Sequence, residues 1–133
     1  MNSTPINLVL AARNLGVLSD FYAKLFGAKP SPGETDHHRV FILNGGLRLD
    51  IYRPSRQRPF PRQGRVLSTC LRFPAHATPL SKLRHYVRNA LEIGASVLEL
   101  PQVEVFGAES WIADPEGNAI LLLVPNHKSL EPS

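Results

Sequence analysis

Asp50 and Tyr52 are the side chains of this sequence best placed for proton transfer. They lie in residues 47–52, where Leu47, Leu49 and Ile51 alternate with Arg48, Asp50 and Tyr52. A strand of that pattern turns its apolar residues to one side and its polar residues to the other. A carboxylate can take a proton, and a phenol can give one, when the surroundings bring the pKa near the working pH. The plainer reading of Asp50 is an outward carboxylate paired with Arg48 or Arg53, worth little to stability if exposed. Cys70 is the single cysteine. It excludes an internal disulfide and a Cys-pair zinc motif. The burial preference of free cysteine makes it a packing residue and not a nucleophile. His37, His38, His76, His85 and His127 show no metal-ligand spacing. On a strand, His37 and His38 would point to opposite faces. All five read as surface histidines.

The charge carries a second signal. The formal net charge is +4 and the pI is about 9.6. Its local source is Arg53, Arg56, Arg58, Arg62 and Arg65, interleaved with Pro54, Pro59 and Pro61. Proline resists helix and central strand, so this stretch is a loop. It reads as a solvated basic linker or as a loop that helps to hold an anionic ligand at a cavity mouth. Phe60 is its one aromatic residue and no binding motif frames it, so nucleic acid is not expected.

These groups need a scaffold. Residues 6–12 form a short apolar run with strand character. Asn14 then suits a helix N-cap, because its side-chain oxygen can accept from an early helical N–H. Leu15, Leu18, Phe21, Tyr22, Leu25 and Phe26 recur at helical steps, and Gly27 suits the C-cap. Residues 30–36 read as loop. Two apolar-rich runs, 40–43 and 47–52, flank Asn44-Gly45-Gly46, a hairpin signal. After the arginine–proline loop the order repeats. Residues 66–73 read as a strand. Leu80, Leu83, Tyr86, Val87, Ala90, Leu91 and Ile93 form a helix face closed by Gly94. Residues 96–100, 109–113 and 118–124 read as strands, the last two separated by the turn Asp114-Pro115-Glu116-Gly117-Asn118. Pro125 ends the final strand, and residues 126–133 form a short polar tail.

Length and composition fit one domain, and the order of its elements reads as α+β. The chain has 133 residues, 43% hydrophobic and 20% charged, enough for a single core. Within it, module one spans about 5–53, the linker about 54–64 and module two about 65–125. No apolar run reaches the roughly 18 residues of a membrane span. The start lacks the basic and long apolar regions of a signal peptide. A cytoplasmic protein without a membrane partner is expected.

Two segments carry a resemblance. Residues 14–27 include the pair Phe21-Tyr22 and close with Leu25-Phe26-Gly27; residues 107–118 run through Trp111 into Asp114-Pro115-Glu116-Gly117-Asn118. In this order the chain resembles the glyoxalase/bleomycin-resistance/dioxygenase (vicinal oxygen chelate) superfamily from about residue 6 to residue 124. The resemblance implies paired βαβββ modules whose curved mixed sheets form a central cleft for a small molecule. It also implies a homodimer. Function must still be argued from the site, because one fold hosts many activities.

Enzymes of the superfamily hold a divalent metal with His, Gln or Glu from four strands, which polarises a substrate oxygen. The resemblance places Asn7 at the first ligand position, Asp50 at the second, Ser68 (or Thr69, one residue on) at the third and Leu121 at the fourth. Asn is a weak anchor, Ser is not a usual ligand, and Leu has no donor at all. A normal site needs three ligands or more. No cofactor is therefore expected, with a divalent metal the alternative. Strand alternation then assigns Asn7, Val9, Asp50, Tyr52, Ser68, Cys70, Arg72, Trp111 and Leu121 to the cleft. That mixture suits a small organic ligand. Arg72 can pair with its carboxylate or phosphate. Trp111 can stack on a planar group or serve as core.

Three readings follow: a metal-independent binder of a small neutral or anionic ligand, a metal-dependent lyase, isomerase or dioxygenase, and a metal-free enzyme using Asp50 or Tyr52. Bleomycin itself is a poor candidate, since a basic protein repels a cation at long range.

Overall fold

A computed structural model describes residues 7–130 other than 34, 58, 63, 65 and 66. The chain divides into two compact units, Met1–Arg62 and Gln63–Ser133. The first unit runs β1 (Asn7–Ala11), α1 (Leu15–Phe26), β2 (Ser31–Pro32), β3 (His38–Ile42) and β4 (Arg48–Tyr52). Its sheet has the order β1-β4-β3-β2, with β1 parallel to β4 and the other pairs antiparallel. The Asn14 side chain accepts from the Val17 N–H at 3.1 Å, and Gly27 closes α1 at φ 62°. Both caps are those expected from the sequence. Leu15, Leu18, Phe21 and Tyr22 are buried, as are Phe41, Leu49 and Ile51 on the sheet. Phe26 meets Phe41 edge-on at 6.0 Å, which sets α1 on that face.

The hairpin expected at Asn44-Gly45-Gly46 joins β3 and β4 through a single 3-10 turn. Residues 30–36 are not wholly loop. They contain β2, a two-residue edge strand with Pro32, and an edge position tolerates the missing proline donor.

The second unit repeats the plan: β5 (Thr69–Arg72), α2 (Pro79–Glu92), β6 (Ser96–Glu104), β7 (Gly107–Ala113) and β8 (Ala119–Pro125), followed by a 3-10 turn at His127–Leu130. The order β5-β8-β7-β6, with β5 parallel to β8, matches that of the first sheet. Each unit is thus βαβββ, the α+β glyoxalase/bleomycin-resistance arrangement. Leu83, Val87 and Ala90 of α2 are buried, and so are Ala108, Ile112, Ile120, Leu122 and Val124 of the sheet. Leu91, expected on that helix face, is 43% exposed.

β5 is shorter than expected, and Val66 lies outside the described residues. β6 continues past Pro101 because it is the sheet edge and shifts register between Glu99 and Gln102. The β7–β8 turn is built on Asp114. Its Oδ1 accepts from the N–H groups of Glu116 (2.8 Å) and Asn118 (3.0 Å), and its Oδ2 accepts from the Asn118 amide at 2.8 Å. Among the described residues no helix is long and apolar enough to cross a membrane.

Candidate functional site

In the first unit the sheet face away from α1 is set by register. Asn7, Arg48 and Ile42 form one row, Val9, Asp50 and Val40 the next, and Ala11, Tyr52 and His38 the third. Alternation therefore places Asn7, Val9, Asp50 and Tyr52 together, as expected. Val9 and Ile42 are largely exposed, whereas the Asp50 side chain is only 10% exposed.

Polar neighbours surround that carboxylate. Arg48 donates through Nε to Asp50 Oδ1 at 2.8 Å, and His38 Nε2 lies 3.1 Å from the same oxygen. Asn7 donates through Nδ2 to Oδ2 at 3.4 Å. Burial would raise the Asp50 pKa, but the hydrogen bonds and charge of Arg48 and His38 outweigh it. The carboxyl is held below the usual aspartate range. Gly33 keeps the arrangement open, since a Cβ there would overlap the His38 ring.

His38 corrects the reading of five surface histidines. It belongs to β3 and turns onto Asp50, with its side chain 19% exposed. Arg48 was recognised as a partner of Asp50, whereas His38 was missed because β3 begins two residues before the apolar run at Val40.

In the second unit the face away from α2 carries Cys70, Leu121, Trp111 and Glu99 in one row. Arg72, Leu123, Glu109 and Gln102 form the next. The expected Cys70, Arg72, Trp111 and Leu121 do share a face. Cys70 is exposed, however, and is not a core residue. Crowding by its neighbours still desolvates the thiol enough to raise its pKa, with Glu109 adding to the effect and Arg72 opposing it. A raised thiol pKa makes a poor nucleophile at neutral pH.

Ser68 precedes β5, and its buried Oγ has no hydrogen-bond partner among the described residues. Thr69, the alternative third position, pairs with the buried Ile120 and so faces α2. A hollow of about 380 Å³ is lined by Arg72, Phe106, Glu109, Leu123 and Pro125. Burial raises the pKa of Glu109, and the nearby Glu104 and Glu99 raise it further. Glu109 was not among the residues expected on this face, although it stands two places before Trp111 and alternation alone puts both on one face.

Superfamily metal chemistry makes a demand that this chain does not meet. Among the described residues no three of His, Cys, Asp and Glu gather as a ligand group. The Asp50 oxygen that would bind an ion already faces a guanidinium. Leu121 lies beside Cys70 and Trp111 and offers no donor. The residues present do not fit a divalent ion at the family position.

The sequence profile of the glyoxalase-like domain matches residues 7–123. The chain belongs to this family. Solved structures of the same fold include a hypothetical protein from S. aureus, with TM-score 0.73 and 16% identity over 93% of this chain and 95% of that one. A fosfomycin resistance protein, FosX, from Listeria monocytogenes has TM-score 0.72 and 13% identity over 97% of this chain and 98% of that one. A glyoxalase/bleomycin resistance protein/dioxygenase family enzyme from Burkholderia phytofirmans has TM-score 0.66 and 15% identity over 87% and 94%. No curated protein matches the chain in sequence. At these identities the likeness speaks for the fold.

Proposed function

We propose that this glyoxalase-like protein binds a small neutral or anionic organic molecule on the helix-free faces of its sheets, without the divalent metal used by enzymes of the superfamily. The observation that carries the reading is the state of Asp50. It is the one carboxylate at a family ligand position, and its oxygens are engaged by Arg48, His38 and Asn7. So held, it is a weak base and serves to fix those side chains. In the first unit the helix-free face sets exposed Val9 and Ile42 beside Arg48, and in the second it sets half-buried Leu121 and Leu123 beside Arg72. An arginine beside apolar surface favours a ligand with a carboxylate, phosphate or polarised carbonyl.

Trp111 supplies the test, as the only tryptophan of the chain. Titration with a panel of aromatic carboxylates should change its fluorescence saturably in chelator-treated protein. Arg72→Gln should weaken that binding about tenfold, the worth of a charge-assisted hydrogen bond. A response that appears only with added divalent ion would overturn the proposal.

That outcome would support a second reading, a metal-dependent lyase, isomerase or dioxygenase. One observation favours it: Asn7 and His38 each bring a side-chain nitrogen within 3.4 Å of the Asp50 carboxylate. Arg48 opposes it, because a guanidinium on the same carboxylate repels a cation.

A further inference from the structure

We propose a second binding site, for a phosphate monoester, in a basic hollow on the α1 side of the first unit. The hollow measures about 430 Å³, and its walls include Arg13, Asp36, His37, Arg39 and Arg53. Three guanidinium groups against one carboxylate leave two positive charges, the charge of a phosphate monoester dianion. Arginine's planar fork suits such an oxyanion better than a point charge does.

The fold builds this convergence from separate elements. β1 and β4 are parallel neighbours, so Arg13 and Arg53 both leave the carboxyl edge of the sheet. The Arg53 N–H donates to the His37 carbonyl at 2.9 Å, which ties that exit to the loop before β3. Arg39 pairs with Ile51 in the sheet, on the α1 side and opposite to Asp50. Its Nη1 donates to the carbonyls of Asp36 (3.1 Å) and His38 (3.0 Å), so the guanidinium is fixed in place. Arg13 is held by stacking on Phe60, 4.0 Å from the ring centroid. Like charges brought this close repel one another, and an anion between them removes that repulsion.

A second hollow of about 440 Å³ adjoins the first. Arg13 and Arg53 belong to both, and Pro54, Arg56 and Phe60 are among its other walls. The phosphate fits the first hollow, and the organic part of the ester lies over Pro54 and Phe60 in the second. The arginine–proline stretch is then a ligand-holding loop in which Arg53 and Arg56 take part.

The test is isothermal titration of the full chain with phenyl phosphate, inorganic phosphate and benzoate. Phenyl phosphate should bind one per chain and most tightly of the three. Arg53→Gln and Arg13→Gln should each weaken it about tenfold or more. Arg62→Gln removes the same charge from an exposed position outside both hollows and should change affinity less than about twofold, as a screened surface charge does. Arg72→Gln, in the other unit and outside both hollows, should leave it unchanged, which separates this site from the helix-free faces. The proposal fails if wild type gives no saturable heat, if benzoate or inorganic phosphate binds as tightly as the ester, if Arg62→Gln weakens binding as much as Arg53→Gln, or if Arg72→Gln abolishes it.

Discussion

Replacing Asp50 by asparagine keeps the side-chain size and removes the charge that organises the first sheet. A hydrogen bond to a charged group contributes about 1.5–3 kcal/mol. The three contacts are not equal. The Arg48 side chain is 40% exposed and recovers water when its partner is lost, so its share is small. The Asn7 bond is long, at 3.4 Å. The His38 contact is the most sheltered, and its weakening from a charged to a neutral partner sets most of the cost, about 2 kcal/mol for Asp50→Asn at pH 7. For a chain of this size that lowers Tm by about 6–8 °C. The dependence on pH has a definite sign. The folded pKa lies below the unfolded one, so the carboxylate stabilises the fold above the ordinary aspartate range. As pH falls through that range the unfolded chain takes up a proton that the folded chain still refuses, and the contribution is lost. Urea denaturation of both proteins from pH 7 down to pH 3 should therefore show a gap that closes with acid. A gap within about 0.5 kcal/mol at pH 7, the scatter of ordinary surface changes, would refute the reasoning. So would a gap that stays constant down to the lowest pH.

Two further substitutions probe the same scaffold. Gly33→Ala should cost about 1–2 kcal/mol, because the added methyl displaces the His38 ring. Combined with Asp50→Asn it should cost less than the sum of the two, since both weaken the His38 contact; a double-mutant cycle by urea denaturation measures this. Asp114→Ala should cost about 2–3 kcal/mol, because a buried carboxylate that accepts from Glu116 and Asn118 is removed from the β7–β8 turn. Thermal melts of that variant should show the loss, with the far-ultraviolet spectrum retained at low temperature.

Much of the fold was legible because local chemistry and global fold agree. Asn14 and Gly27 mark both ends of α1, and Leu49 and Ile51 mark the buried side of β4. Asp114, Gly117 and Asn118 mark the turn before β8. What was not legible depends on register and on sheet edges. His38 reaches Asp50 only because β3 starts at residue 38 and pairs antiparallel with β4, which brings the histidine beside Tyr52 and one row from Asp50. Cys70 departs from the usual burial of free cysteine, because its pairing with Leu121 turns it away from α2. The two-residue β2 carries no alternation to read, and β6 hides its length behind Pro101. The loop arginines had two readings on sequence alone. The two hollows lined by Arg13 and Arg53 are the ground on which ligand holding is proposed.

The proposed metal-independent binding is tested most directly by the response of the fold to metal ions. Chelator-treated protein, wild type and Asp50→Ala, should be melted against nickel, zinc, manganese and ferrous ions up to millimolar concentration. A micromolar site on the folded chain would add about 4 kcal/mol at millimolar metal, a shift no melt would miss. The account predicts no saturable rise in Tm with any of the four ions. A saturable rise in wild type that Asp50→Ala abolishes would contradict it.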